Sequence, residues 1–166
     1  MGRWLEIVNR DFSSPDELAD WAARSGFGRV GLQGGDEAVE LCRRMGEALR
    51  GVADALAGNR RPAKELAELD RVISSVPGRM RVGLAGVAFG ADAPPIVTIP
   101  VQLGIEGAEF ALDDESPRLA RCERDDPPCG KFFIDRSRDG RGRWCSPACG
   151  TVERVRKLRS KEPESA

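Results

Sequence analysis

Apolar positions in the first part of the chain recur at helical spacing. Leu41, Met45, Leu49, Val52 and Leu56 follow at steps of four, four, three and four, which predicts a helix from about Asp36 to Ala57. Upstream, Ser14-Pro15-Asp16-Glu17 is a helix start: a capping hydroxyl, a proline at the first helical position and a glutamate to complete a capping box. Leu18, Trp21 and Ala22 give that helix one apolar face, and Gly26 ends it. Gly58-Asn59 stops the long helix, Pro62 opens a third with Leu66, Leu69 and Ile73 on one side, and Pro77-Gly78 breaks it. Other segments read as extended. Trp4 to Val8 is a short apolar run suited to a strand. Pro94-Pro95 reads as an ordered loop, after which Val97, Ile99, Val101 and Leu103 alternate with Ile96, Thr98, Pro100 and Gln102. This predicts a strand with the first set facing inward, a turn at Gly104 to Gly107, and Ala108 to Leu112 returning as a hairpin partner. The expected body is α+β, mainly helical with a small sheet.

Composition narrows the class. With 166 residues, 40% of them hydrophobic, the chain is one medium domain, or a domain with an appendage, and not a disordered polyelectrolyte. No apolar run approaches the ~20 residues of a membrane span, and the charged start MGRWLEIVNRDF lacks a signal-peptide pattern. A soluble, cytoplasmic protein is the expectation. Histidine is absent, which removes imidazole as base or ligand.

The near-neutral total of −1 hides a division. Residues 1–115 carry 13 basic and 19 acidic side chains, a net of −6, whereas residues 116–166 carry 13 and 8, a net of +5. Two modules with different partners are expected: an acidic α+β domain over 1–115, a cationic lobe over 116–161, and a disordered tail over 162–166.

Four of the five cysteines lie in the cationic part, spaced Cys122-x6-Cys129-x15-Cys145-x3-Cys149. A disulfide framework is the competing reading, but it suits exported chains. Two close pairs of cytosolic cysteines about 15 residues apart point instead to a structural zinc site. Pro128-Cys129-Gly130 is a tight turn that aims sulfur at a metal. Lys131 to Asp135 and Arg143 to Cys145 are predicted to form a hairpin around Asp139-Gly140. Ser146 caps a helix with Pro147 at its first position, so Cys145 and Cys149 face the positive end of its dipole. Turn, hairpin and helix with two ligands at its start make a treble-clef-like arrangement. Four thiolates leave zinc no open position, so one Zn2+ would be structural, not catalytic. Cys42, on the long helix, reads as a small buried hydrophobe.

Two cationic elements flank the cysteines. Beyond Cys149, Val152, Val155 and Leu158 form a narrow apolar stripe, Arg154, Lys157 and Lys161 share another face, and Arg156 and Arg159 flank the stripe. The turn from Arg138 to Arg143 adds Arg138, Arg141 and Arg143, with Gly140 and Gly142 between them. A solvated charged face is the plain reading. Fixed by one zinc site, the two elements also suit the phosphates of double-stranded DNA. Phe132, Phe133 and Trp144 read as the small core of this lobe.

These residues resemble a known family. Cys129-Gly130-Lys131-Phe132-Phe133-Ile134-Asp135-Arg136-Ser137-Arg138, then Arg143-Trp144-Cys145-Ser146 and Cys149-Gly150, look like the CGNR zinc finger. Leu5 to Asn9, Ser14 to Gly26, Gly46 to Arg50 and Leu66 to Ile73 are similar to the domain that precedes that finger. The family is regarded as bacterial stress-induced transcriptional regulators, with the finger as the DNA-binding part. The resemblance implies that Cys122, Cys129, Cys145 and Cys149 ligate zinc. Two departures stand out: Thr151-Val152 replaces the signature Asn-Arg, and three residues rather than four separate the last cysteines.

The leading expectation is a zinc-dependent, DNA-binding transcriptional regulator whose acidic body either binds a small-molecule signal or forms a homodimer. The rival is a zinc-stabilised protein-interaction module whose cationic helix meets an acidic partner. An enzyme is not expected: Gly31-Leu32-Gln33-Gly34-Gly35 fits no phosphate loop, and no carboxylate spacing implies acid–base work.

Overall fold

A computed structural model describes residues 2–83, 86–113 and 118–159, with only the backbone described for 80–83, 86–89 and 91. The body is built on α3 (Gly35–Ala57), which α2 (Pro15–Arg24) precedes and α4 (Ala63–Ser74) follows. The long helix and its two neighbours lie where the periodicity puts them. Met45, Leu49 and Val52 of α3 and Leu69 of α4 are buried, with Leu66 and Ile73 packed partly against them. At the start of α2 the Glu17 amide donates to Ser14 Oγ at 3.2 Å. The Glu17 carboxylate, however, accepts from the Ser13 amide and hydroxyl and from Arg10 rather than closing a box on Ser14.

Two expected strands are helices. Trp4 to Val8 lies within α1 (Trp4–Asn9), and its buried residues Trp4, Ile7 and Val8 share one helical face. Gly46 of α3 is what lets α1 settle: a Cβ there would lie 2.6 Å from the Ile7 carbonyl oxygen. Arg50 of α3 donates to the Val8 carbonyl at 3.0 Å and so satisfies an end of α1.

The alternating segment is part of α5 (Pro95–Leu112), and the predicted turn and returning strand are the same helix. Pro95 starts it, and Pro100 sits inside it. This helix is buried on several sides, among them through Ile96, Val97, Ile99, Val101 and Leu103. A helix apolar all round carries no 3.6-residue stripe, so its few polar positions can mimic strand alternation. Gly104 and Gly107 are packing surfaces against α3, not turn residues. A Cβ at the first would meet Met45 Sδ at 2.5 Å, and one at the second Leu49 Cδ2 at 2.3 Å.

The small sheet of the body lies elsewhere. β1 (Gly78–Gly83) and β2 (Gly86–Ala91) pair antiparallel in a register from Gly78↔Ala91 to Gly83↔Gly86. In the C-terminal part, β3 (Leu119–Arg121) pairs antiparallel with β4 (Phe132–Ile134), and α6 (Pro147–Arg159) closes the described chain. The predicted hairpin between Lys131–Asp135 and Arg143–Cys145 does not form. β4 pairs with β3, which brings Leu119 and Phe132 together in the same apolar cluster as Trp4, Leu49 and Val101. Phe132 therefore belongs to the core of the body rather than to a separate core of the lobe. Trp144 does stay local: a Cβ on Gly150 of α6 would lie 2.9 Å from its ring.

Candidate metal centre and cationic surface

The cysteine cluster is assembled from three pieces of backbone. Cys122 follows β3, and its amide donates to the Lys131 carbonyl at 2.8 Å. Cys129 ends the intervening loop with its amide on the Arg124 carbonyl at 3.0 Å, and Gly130 turns the chain at a φ of 62°. Cys145 precedes α6 and Cys149 lies in its first turn, where the Cys149 amide donates to Ser146 Oγ at 3.3 Å. All four sulfurs lie within 4.8 Å of one another, with Cys129–Cys145 at 3.7 Å and Cys145–Cys149 at 3.6 Å. A thiolate tetrahedron with Zn–S bonds of about 2.3 Å has edges of about 3.8 Å. A disulfide would need about 2.05 Å. The donor set and its spacing fit a structural zinc site.

Electrostatics sort the sulfurs. Burial, with the neighbouring sulfurs, pushes the Cys145 thiol up to about 12, whereas a hydrogen bond from Ser146 lowers Cys149 to about 7. Burial alone pushes Cys42 up to about 12 and keeps it an inert thiol in the core, as its helical position suggests.

Residues 118–162 match the model of the CGNR zinc finger, and residues 6–100 match the ABATE model, described as "Putative stress-induced transcription regulator". The chain belongs to the ABATE family and carries a CGNR zinc finger. No curated protein matches the chain.

Two carboxylates that sequence reasoning passed over shape this CGNR finger. Asp135, buried at the end of β4, accepts from the Ser137 amide at 2.9 Å and the Gly142 amide at 2.8 Å. It thereby pins both ends of the arginine turn. Gly142 permits the approach, since a Cβ there would lie 2.3 Å from Asp135 Oδ1. Glu153, 3% exposed in the middle of the basic helix, accepts from the Asp125 amide at 2.9 Å and fastens α6 to the loop between Cys122 and Cys129. The one signal for Glu153 was a lone acid followed by six basic or apolar helix residues, Arg154 to Arg159. For Asp135 it was the Asp-x-Ser spacing of an Asx turn.

The predicted cationic residues divide. Arg138 and Arg141 are exposed on the turn, and their guanidinium groups have no partner among the described residues. Arg143 is held by Glu123 at 2.6 Å and stacks on Trp144, with its guanidinium 5.0 Å from the ring centre. Arg156 pairs with Glu153 at 3.0 Å. Among the described residues Arg154 reaches its own helix, at Gly150 and Thr151. Lys157 and Arg159 are exposed on α6, and Lys161 lies outside the described residues, as does the predicted tail at 162–166. The apolar stripe of α6 faces outward, with Val155 40% and Leu158 67% exposed. No helix among the described residues is long and apolar enough to cross a membrane.

Proposed function

We propose that this ABATE–CGNR protein is a DNA-binding transcription regulator whose single zinc ion is structural. The observation that carries the reading is the pairing of one four-sulfur centre with two exposed cationic elements. Asp135 fixes the turn that presents Arg138 and Arg141, and the cysteines fix the start of α6, which presents Arg154, Lys157 and Arg159. Four thiolates with zinc carry −2, so the lobe to Lys161, with 13 basic and 6 acidic side chains, keeps about +5. That charge suits phosphate oxygens, and guanidinium groups without carboxylate partners lose no ion pair on binding. The lobe's role is not enzymatic. Titration of a labelled duplex should show binding whose log K falls against log salt with a slope of about −4 to −5 if ~5 phosphates are contacted. Absence of affinity for any duplex at low salt overturns the reading.

A second reading, a zinc-stabilised protein-interaction module, draws on the outward Val155 and Leu158 of α6. Pull-down with and without nuclease separates the two, since a protein partner survives digestion of nucleic acid.

A further inference from the structure

A cleft of about 710 Å³ opens on the side of the body where the α3–α4 connection, the end of α5 and the start of β3 meet. Its size falls within the range of small-molecule sites, roughly 300–1,000 Å³. One part of its lining is apolar: Leu56, Leu66, Phe110 and Leu112. Leu112 is 71% exposed there, an apolar side chain left in water at the mouth of the cleft. The other part is cationic. Arg60, Arg61 and Arg118 line it against one carboxylate, Asp113. Arg60 is committed to Glu65 at 3.6 Å; Arg118 donates one nitrogen to the Gly140 carbonyl at 2.7 Å and its charge also acts on Asp135, while its other guanidinium donors make no hydrogen bond among the described residues. Arg61 is exposed and its side chain has no partner among the described residues. The start of α4, at Pro62 and Ala63, also faces the cleft and carries no side-chain cap. Its free amides add positive potential to that of the arginines.

We propose that this cleft binds an amphipathic anion: an acidic head group held by Arg61 and Arg118, with an apolar body lying on Leu66, Phe110 and Leu112. Arginine forks match a carboxylate's two oxygens, and the apolar wall supplies the remainder of the affinity by desolvation. The site lies where the body meets the finger: its apolar wall belongs to the body, whereas Arg118 opens the finger and holds the arginine turn at Gly140.

Calorimetry on the full, zinc-loaded chain tests it, with octanoate as the probe and acetate and octanol as the companion ligands. Saturable one-to-one binding of octanoate is expected, with acetate and octanol each weaker by about 10-fold or more because each lacks half of the recognition. Arg61→Glu and Leu112→Asp, both at exposed positions, should each weaken octanoate by about 10-fold or more. Arg24→Glu, an exposed substitution at the end of α2 away from the cleft, should leave it unchanged. Circular dichroism and zinc content verify that each variant is folded. Octanol binding as tightly as octanoate, octanoate binding unchanged in Arg61→Glu, or no octanoate binding into the millimolar range would each overturn the proposal.

Discussion

The side-chain amide of Asn9 pairs with the backbone of Phe132 as a neighbouring strand would. Asn9 Nδ2 donates to the Phe132 carbonyl at 2.9 Å, and the Phe132 amide donates to Asn9 Oδ1 at 2.8 Å. The end of α1 thus supplies both hydrogen bonds that the free edge of β4 lacks at that residue, and the finger is tied to the body 123 residues away in sequence. Arg121, in β3, adds an ion pair to Asp54 of α3 at 3.6 Å. Body and finger therefore share a hydrogen-bonded seam over a common apolar cluster.

Asn9→Ala should lower the stability of the whole chain by about 2 kcal/mol, because two part-buried backbone groups lose their partner together. For a chain of this size the midpoint of thermal unfolding should fall by about 4–8 °C. Zinc should stay bound, since the hydrogen bonds of the Asn9 amide go to Phe132 and not to a cysteine. Calorimetric scanning with parallel metal analysis checks both parts. An unchanged midpoint would mean that the seam contributes nothing beyond its apolar contacts.

Cys129→Ser should abolish stoichiometric zinc and melt the finger, visible as lost helical signal from α6. Leu119 and Phe132 lie in the cluster that also holds Trp4 and Leu49, so the damage should reach the body. Its unfolding midpoint in urea should fall as well. Chelation of the wild-type protein should reproduce the effect, as expected where metal binding and folding are one equilibrium. A body whose midpoint is indifferent to the metal would show that the two units fold separately.

How far the sequence revealed this architecture depended on what each segment packs against. α2, α3 and α4 each keep a solvent face, so their apolar residues form stripes, and their ends are marked by the Ser14 cap of α2, the glycines of α3 and the Pro62 that opens α4. α5 has few polar positions to set a period, and its alternation imitates a strand. α1 is six residues long, too short for a helical period to separate from an apolar run. Gly104 and Gly107 looked like a turn because a glycine admitted for close helix packing is, in sequence, identical to one admitted for its φ. The four cysteines were legible because their chemistry fixes their spacing. The partners of β4 were not: pairing with β3 rather than with residues 143–145 depends on where Leu119 and Phe132 find apolar neighbours, which is a property of the body. The cationic residues were legible as types, but not in their commitments. Nothing in the sequence separates Arg143, held by Glu123, from Arg141, which is not.

Asp135 gives the finger a pH signature. Its hydrogen bonds from Ser137 and Gly142 hold its carboxyl below the ordinary value of 3.8. A carboxyl lowered on folding stabilises the native state above its unfolded pKa, and that contribution disappears as pH falls through the lower folded value. Asp135→Asn should therefore destabilise the protein by a roughly constant amount between pH 5 and 8, with an amide group facing amide donors. Below about pH 4 the difference from wild type should shrink. Urea denaturation of the two proteins across that range checks the sign. A gap that widens on acidification would mean that Asp135 is uncharged in the native finger.

The two cationic elements make separable predictions for DNA. Arg138→Ala with Arg141→Ala removes guanidinium groups that have no partner among the described residues, so stability and zinc content should be unchanged while duplex affinity falls by about 10-fold or more at moderate salt. The magnitude of the salt slope should drop by about 2, one for each lost phosphate contact. Arg154→Ala with Lys157→Ala should also leave zinc bound and weaken DNA by about 10-fold. Arg143→Ala should behave differently. Its guanidinium pairs with Glu123 and covers Trp144, so its removal should alter the tryptophan fluorescence and the finger's stability as well as the affinity. If the first pair instead released zinc, the turn would be part of the finger's scaffold. If neither pair changed the salt slope, DNA would have to meet the protein on another face.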